Sequence, residues 1–407
     1  MAEKSVLLKG VQNENKKYAI LAFVLFLISP LVSLPFLLLS IFNRERIALF
    51  VLALFFGVLS FYLIPTWELD ISRYYFMYDR IASVNFNGLK KVLEEQNDYF
   101  FFFIYFIFTR FGIGFQTYML IVSTLCFYSC FRVGDFVIRR FNPTRLSYFV
   151  LMISFVLSLP ILSMISLTRF SIAFVFFMLY VYYHLKSKRK MSLFFLLLSC
   201  FTHFAFSVYV PFLILFYFFR NRVKINVLLL GVGTFAVLLS LTGGLMGLIQ
   251  YIPFLATKAQ TYLTVYEETN IKILSLMLIT PILIALFFYM RFYKYIPSKM
   301  LQVFLGALLV VLICLPTNMI IYDRYIQVFK PVFALTIMTT YYSNKVLNKE
   351  KVMLLRRIVL IVTVFYAMYY FYTFYIIYRE SFKGFLSVGK LLLVSILDST
   401  YSQRDFY

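Results

Sequence analysis

Long apolar runs recur along the whole chain and are separated by short clusters of lysine and arginine. A helix that spans a bilayer needs about 20 apolar residues. Hydrophobic residues make up 62% of the 407 residues and charged residues only 14%, too few polar groups to cover a water-soluble globule. We therefore predict an all-α polytopic membrane protein with about 11–13 transmembrane or membrane-inserted helices. The runs are 18–41, 47–65, 116–138, 146–164, 168–185, 191–219, 225–242, 271–290, 300–317, 325–342 and 357–378.

The connections between the runs are mostly too short to hold a soluble domain. The longest polar stretches are 66–97 and 242–270, and we expect both to be external segments. The last part of the chain, 380–407, has the pattern of an amphipathic segment along the membrane surface. The prediction is a single integral membrane domain over 1–407.

The formal net charge of +22 could suggest a nucleic-acid partner. The basic residues, however, lie in short loops at the ends of apolar runs, as in the cytoplasmic loops of membrane proteins. We expect no nucleic-acid binding, and we place the basic loops in the cytoplasm. These loops are 43–46, 139–145, 186–190, 220–224, 291–299 and 345–357.

The N-terminal part admits two topologies. In the preferred one, 66–97 is external, 98–111 is an interfacial or partly inserted helix, and the N-terminus is external too. In the other, the lysine pair 16–17 holds the N-terminus inside and every run spans the membrane. Pro30 and Pro35 kink or split the first run, which would let the chain return to its own side.

The run 191–219 lies between the clusters KSKRK and RNRVK, both placed inside. It must therefore cross outward and come back, with a turning point near 200–203. Each arm is short for a full crossing, so a tight hairpin or re-entrant pair is predicted.

The four cysteines all lie within apolar runs and lack the spacing of metal ligands. They are expected to be small buried hydrophobes, and neither a metal nor another cofactor is predicted. They are Cys126, Cys130, Cys200 and Cys314.

Ionisable side chains at membrane depth are costly, and a set on one side indicates a functional site. Arg169, in ISLTRFSIAF, is the sharpest case, because no carboxylate lies within one helical turn of it. We expect an unpaired guanidinium suited to phosphate oxygens; the alternative is snorkelling to lipid headgroups. The external set is Glu68, Asp70, Arg73, Arg80, Arg169, His203, Asp323, Arg324 and Arg379.

His203, in SCFTHFAFS, lies at the predicted turning point and is flanked by aromatic residues. A neutral imidazole there could position a phosphate or a sugar hydroxyl, or move a proton near neutral pH. The alternative is a histidine that only caps a helix turn.

The stretch WELDISRYYFMYDR places Asp70, Arg73 and Tyr74 on one helix face, which continues to Tyr78. Carboxylate, guanidinium and phenol together suit a carbohydrate that carries phosphate. The alternative is an aromatic belt with a local ion pair. Further along, Asp323 and Arg324 are adjacent and so diverge on a helix.

No Gly-rich nucleotide loop and no metal or serine hydrolase motif is present. An external site has no access to cytoplasmic nucleotides, so its substrate must arrive already activated. A lipid diphosphate meets that requirement.

These segments resemble the O-antigen and capsule repeat-unit polymerases, the Wzy type and its EpsG-like branch. The resemblance covers roughly 66–330. It is carried by LDISRYYFMY, NDYFFFFIYFIFTRFGIGFQ, SLTRFSIAF, the histidine in KSKRKMSLFFLLLSCFTHFAFSVYVPFLIL and, more loosely, YDRYIQVF.

The resemblance implies a bacterial inner-membrane glycosyltransferase of GT-C-like architecture with a periplasmic active face. It would move the growing glycan from undecaprenyl diphosphate onto the non-reducing sugar of a new lipid-linked repeat unit, without a metal. A chain-length regulator and a flippase are the protein partners that the resemblance implies.

The resemblance also implies roles for individual residues. Arg169 and Arg324 would hold the donor diphosphate, with help from Arg73. His203 would position the diphosphate or deprotonate the acceptor. Asp70 is the other candidate base and Asp323 the third, in an order that the residues leave open. The sugar-binding residues would be Tyr74, Tyr78, Glu68 and Arg80.

Two other functions use similar lipid-linked substrates. An O-antigen ligase shares the donor chemistry but has one large periplasmic loop, whereas 242–270 is modest. A repeat-unit flippase predicts basic residues that line a cavity at mid-membrane and two similar halves, whereas the interior of most runs here is charge-free and no repeat is visible.

Overall fold

In a computed structural model, the described part of the chain is helical, with no strand assigned there. The described residues are 17–63, 70–95, 98–140, 142–166, 168–210, 213, 272–297, 301–302, 305–306, 308–309, 312, 319–343 and 349–377. A helix satisfies its own backbone groups, which suits apolar runs without water. The helices are α1 Lys17–Ile28, α2 Pro30–Phe42, α3 Arg46–Phe61, α4 Asp70–Ser83, α5 Phe86–Glu95, α6 Tyr99–Arg110, α7 Phe115–Arg139, α8 Arg145–Ser158, α9 Ile161–Ser166, α10 Thr168–Leu185, α11 Arg189–Thr202, α12 Lys272–Phe292, α13 Met319–Ser343 and α14 Lys349–Ile377.

The chain divides into two compact units. The first comprises 1–153, 161–203 and 370–407, and the second comprises 154–160 and 204–369. The predicted single membrane domain stays a prediction. The predicted segments 225–242, 242–270 and 380–407 lie outside the described residues.

The first apolar run forms two helices, α1 and α2, that pack against each other. Ser29 is extended between them and Pro30 opens α2, because proline is favoured in the first helical turn. The backbone N–H of Ala19 donates to Glu45 Oε2 at 2.7 Å, so the start of α1 lies beside the end of α2. The predicted split of the run is confirmed at Pro30, whereas Pro35 lies inside α2 without ending it.

Three predicted cytoplasmic loops meet at one end of the first unit, which we call the basic end (43–46, 139–145 and 186–190). Arg145 Nη1 donates to Asn43 Oδ1 at 3.3 Å. The ammonium of Lys186 lies 4.9 Å from the ring of Phe136, near the end of α7. The loops thus gather on one side, as their charge predicts.

Helices α3 and α7 approach closely through Gly57. A Cβ at this position would lie 2.0 Å from Thr124 Oγ1 and 2.9 Å from the carbonyl oxygen of Leu120. Small residues commonly allow such contacts between helices in membranes. Nearer the opposite end, Ser60 donates to the carbonyl of Ile165 at 2.7 Å and accepts from Ser123 at 2.9 Å. These bonds tie α9 to the α3–α7 pair.

Two of the described helices, α7 and α10, are long and apolar enough to cross a membrane by length and composition. Helix α6 confirms a helix within 98–111, but its 12 residues extend only about 18 Å. Its place in the membrane stays a prediction. Helix α11 ends at Thr202 and His203 is extended, which breaks the helix at the predicted turning point.

The second unit contains α12, α13 and most of α14. Phe288 of α12 packs edge-on against Phe333 of α13 at 5.4 Å between ring centroids. The middle of α13 also carries a buried lysine, Lys330, whose ammonium lies 5.3 Å from the centroid of Tyr366 in α14. The sequence pattern does not predict this buried cation.

Candidate functional site

Arg169 pairs with a carboxylate that lies far from it in sequence. Its Nη1 donates to Asp98 Oδ2 at 2.5 Å, and the side chains are 17% and 2% exposed. The expectation of an unpaired Arg169 is therefore wrong. The reason is tertiary: the partner comes from the start of α6, not from a neighbouring turn of α10.

His203 lies beside the same carboxylate. Its Nδ1 is 3.8 Å from Asp98 Oδ1, and its side chain is 11% exposed. The residue is the C-cap of α11, where its backbone N–H donates to the carbonyl of Ser199 at 3.0 Å. The Ser199 hydroxyl in turn donates to the carbonyl of Ala173 at 2.8 Å. The packing of α11 against α10 thus fixes the position of the His203 backbone.

Three helix ends meet at this point. Asp98 is the N-cap of α6, Arg169 is the second residue of α10, and His203 follows α11. Thr168 Oγ1 and the Tyr105 hydroxyl share a hydrogen bond of 3.2 Å, which joins α10 to α6. The partial positive charge at the start of α6 also stabilises the Asp98 carboxylate. We call Asp98, Arg169 and His203 the carboxylate cluster.

The ring of Tyr74 has two arginines beside it. The guanidinium carbons of Arg73 and Arg169 lie 5.8 Å and 5.9 Å from its centroid, within the range of a cation–π contact. The structure therefore brings together two of the arginines that the sequence predicts to bind phosphate. Arg73 is also 2.9 Å from Asp70, in an ion pair that is 52% and 31% exposed.

Tyr74 and Tyr78 are buried, at 3% and 5% exposure. The Tyr78 hydroxyl donates to the carbonyl of Ile113 at 2.6 Å, and burial raises its pKa to about 12. It therefore remains a neutral donor at physiological pH. The rings pack against other aromatic residues, and their predicted sugar-binding role stays a prediction.

Of the remaining predicted residues, only Arg80 and Arg324 have described side chains. Arg80 is exposed near the end of α4, and Arg324 is half-buried in α13 of the second unit. Asp323 lies in α13, but its side chain is outside the described residues. Glu68 and Arg379 are also outside them.

A second buried carboxylate, Asp135, lies at the basic end. It accepts from Arg139 Nε at 2.5 Å and from the Tyr148 hydroxyl at 2.6 Å, and its side chain is 4% exposed. Arg139 also donates to the carbonyl of Arg44. This ion pair anchors the loop after α2 to the end of α7, so the first unit has a buried acid at each end.

Asp98 is the site residue that sequence reasoning missed. The available signal was an acid immediately before the aromatic run YFFFFIYF, in a segment that was considered for its topology and for the family resemblance but not for a site residue. Within the described ranges, no group of three or more His, Cys, Asp or Glu side chains is placed to hold a metal ion.

Comparison with known proteins gives one match. The EpsG family model matches residues 47–386, a span that includes the carboxylate cluster, Tyr74 and Arg73. No curated protein and no solved structure matches the chain. Membership fits a helical membrane protein that polymerises polysaccharide repeat units. The chain belongs to the EpsG family.

Proposed function

We propose that the protein polymerises oligosaccharide repeat units linked to undecaprenyl diphosphate, for an O-antigen, capsule or exopolysaccharide. The growing glycan leaves its lipid diphosphate and joins the non-reducing sugar of a new lipid-linked repeat. The reaction takes place at the periplasmic face of the bacterial inner membrane.

The observation that carries the proposal is the convergence of Arg73, Arg169 and His203 at one end of the first unit. The two arginines flank Tyr74, and His203 lies beside the partner of Arg169. An anion-binding pair next to a proton acceptor is what transfer from a diphosphate requires.

Each group has a place in the reaction. The acceptor hydroxyl attacks the anomeric carbon of the donor sugar and gives its proton to the imidazole of His203. The bond between the anomeric carbon and the diphosphate oxygen breaks, and the diphosphate leaves with the electron pair. Arg169, helped by Arg73, stabilises the charge that develops on that oxygen. Arg324 remains a predicted ligand of the donor diphosphate.

The location of the cluster supports the periplasmic side of the membrane. Loops 43–46, 139–145 and 186–190 meet at the basic end, and positive loops are retained in the cytoplasm. Arg169 lies at the start of α10, and that helix ends just before 186–190, so the cluster lies toward the other membrane face. Lipid-linked repeats that have crossed the membrane reach this face.

The test compares the surface polysaccharide of a strain that lacks the protein with that of the same strain carrying a complementing copy. The strain is complemented with wild type, Arg169→Ala or Arg169→Lys at equal membrane abundance, and the glycans are separated on a gel. We expect single repeats without a ladder for Arg169→Ala. A flippase or ligase defect would also remove the surface single repeats, and a normal ladder with Arg169→Ala would refute the proposal.

A further inference from the structure

We infer that Asp98 is a positioning residue that exchanges between Arg169 and His203 and so couples donor binding to activation of the base. When the donor diphosphate takes Arg169, the carboxylate is released to orient His203. This inference rests on the proposed function.

The two oxygens of Asp98 face different partners. Oδ2 is 2.5 Å from Arg169 Nη1, within the distance of a charge-assisted hydrogen bond. Oδ1 is 3.8 Å from His203 Nδ1, which is beyond hydrogen-bond range. The carboxylate thus engages Arg169 fully and lies about 1 Å short of a hydrogen bond to His203.

A buried carboxylate must keep a cationic or donor partner. Asp98 is 2% exposed, and an ionised group at that depth is strongly destabilised without one. If a ligand competes for Arg169, the imidazole of His203 is already beside the carboxylate as a second partner. The exchange therefore needs only a small rotation of the carboxylate.

A diphosphate is a strong competitor for this arginine. It carries more negative charge than one carboxylate, and its oxygens match the guanidinium fork. Asp98 and the diphosphate also repel each other when both are close to Arg169. Binding of the donor therefore weakens the pair between Asp98 and Arg169.

Release of Asp98 has a consequence for catalysis. A carboxylate that accepts from Nδ1–H fixes the imidazole tautomer, leaves Nε2 to take a proton, and stabilises the imidazolium that forms. His203 would become an oriented base only after the donor is bound. If Asp98 competes with the donor for Arg169, removal of its charge strengthens donor binding. If Asp98 served only to hold Arg169 in place, removal of its charge would weaken donor binding.

The test measures donor affinity and polymerisation on the same variants. Purified full-length protein in detergent is titrated with farnesyl diphosphate, a soluble isoprenoid diphosphate, and the gel ladder is recorded in cells at equal abundance. For Asp98→Asn we expect about fivefold tighter binding, because a competing anion is removed, together with loss of the ladder. Weaker binding or a normal ladder would overturn the inference.

The control is Asp135→Asn, which neutralises another buried carboxylate in a pair of the same 2.5 Å length. We expect wild-type affinity and a ladder at equal abundance. If Asp98→Asn does not accumulate, Asp98→Glu replaces it. This longer side chain keeps the charge, so affinity should stay within about twofold while the displaced carboxylate shortens the ladder; an unchanged ladder overturns the inference.

The same titration separates this inference from the proposed function. Arg169→Ala should weaken binding of farnesyl diphosphate at least tenfold, roughly the value of one charge-assisted contact. If Arg169→Ala binds as wild type does, the proposed donor site is wrong and the exchange fails with it. If Arg169→Ala and Asp98→Asn both bind farnesyl diphosphate more weakly than wild type, only the exchange is wrong.

Discussion

Asp98 and Arg169 are separated by 71 residues in sequence and form an ion pair of 2.5 Å. Removing one partner of a buried pair costs about 3–5 kcal/mol because the other charge is left behind. Arg169→Ala therefore leaves a buried carboxylate and should lower abundance as well as activity. This is why Arg169→Lys and matched abundance are needed to separate the two effects.

The hydrogen bond between Thr168 and Tyr105 should hold Arg169 and Asp98 in register, because it joins their two helices. Thr168→Val keeps the shape and removes the hydroxyl, which costs about 1 kcal/mol and should lower the polymerisation rate several-fold. Thr168→Ser keeps the hydroxyl and should retain the rate. Rates are compared in membrane vesicles, and equal rates for Val and Ser would contradict the assignment.

The contact between His203 and Asp98 favours His203 over Asp70 as the base. His203→Gln should lower the polymerisation rate about 100-fold or more. Asp70→Asn should keep most of the rate, because its pair with Arg73 is partly exposed and such a pair contributes less than about 1 kcal/mol. The reverse ranking of these two variants would transfer the role of base to Asp70.

The close approach at Gly57 should make this position intolerant of a side chain. Gly57→Ala forces a methyl group against Thr124 and the carbonyl of Leu120, and such overpacking costs about 1–3 kcal/mol. We expect a lower thermal midpoint in detergent. Adding Thr124→Ala should restore part of the loss, since it removes the hydroxyl at 2.0 Å. Additive losses in the double variant would argue against a direct clash.

The hairpin of α1 and α2 favours a cytoplasmic N-terminus over the external one preferred from the sequence, because the start of α1 lies beside Glu45 at the basic end. Single cysteines at Lys17, Lys188 and Asn87, all exposed, are introduced into a chain that lacks the native cysteines. Cells are treated with a membrane-impermeant maleimide. Lys17→Cys and Lys188→Cys should react only after permeabilisation, and Asn87→Cys should react in intact cells. Reaction of Lys17→Cys together with Asn87→Cys would contradict this topology.

Local sequence signals predicted the features that depend on backbone geometry or charge within a few residues. Pro30 marked the break in the first run, the aromatic run after Asp98 marked a short helix, and the basic clusters marked loops that meet at one end. Each feature follows from backbone geometry or charge within a few residues.

The pairings between distant segments could not be predicted from local sequence signals. Arg169 had no acid within one turn, and its partner, Asp98, belonged to a segment in which no site residue was predicted. Tyr74 and Tyr78 had the spacing of a binding face, but packing between α4 and α6 buries them. Lys330 passed unnoticed inside an apolar run, because only tertiary packing reveals that it is buried.

The central claim is that this chain forms a glycosidic bond by displacing a lipid diphosphate that Arg169 binds. The most direct measurement supplies purified protein in liposomes with lipid-linked repeat units and quantifies glycan length and free undecaprenyl diphosphate. We expect one lipid diphosphate to be released for each bond formed, and Arg169→Ala to yield neither product. Chain growth without release of lipid diphosphate, or undiminished growth with Arg169→Ala, would contradict the account.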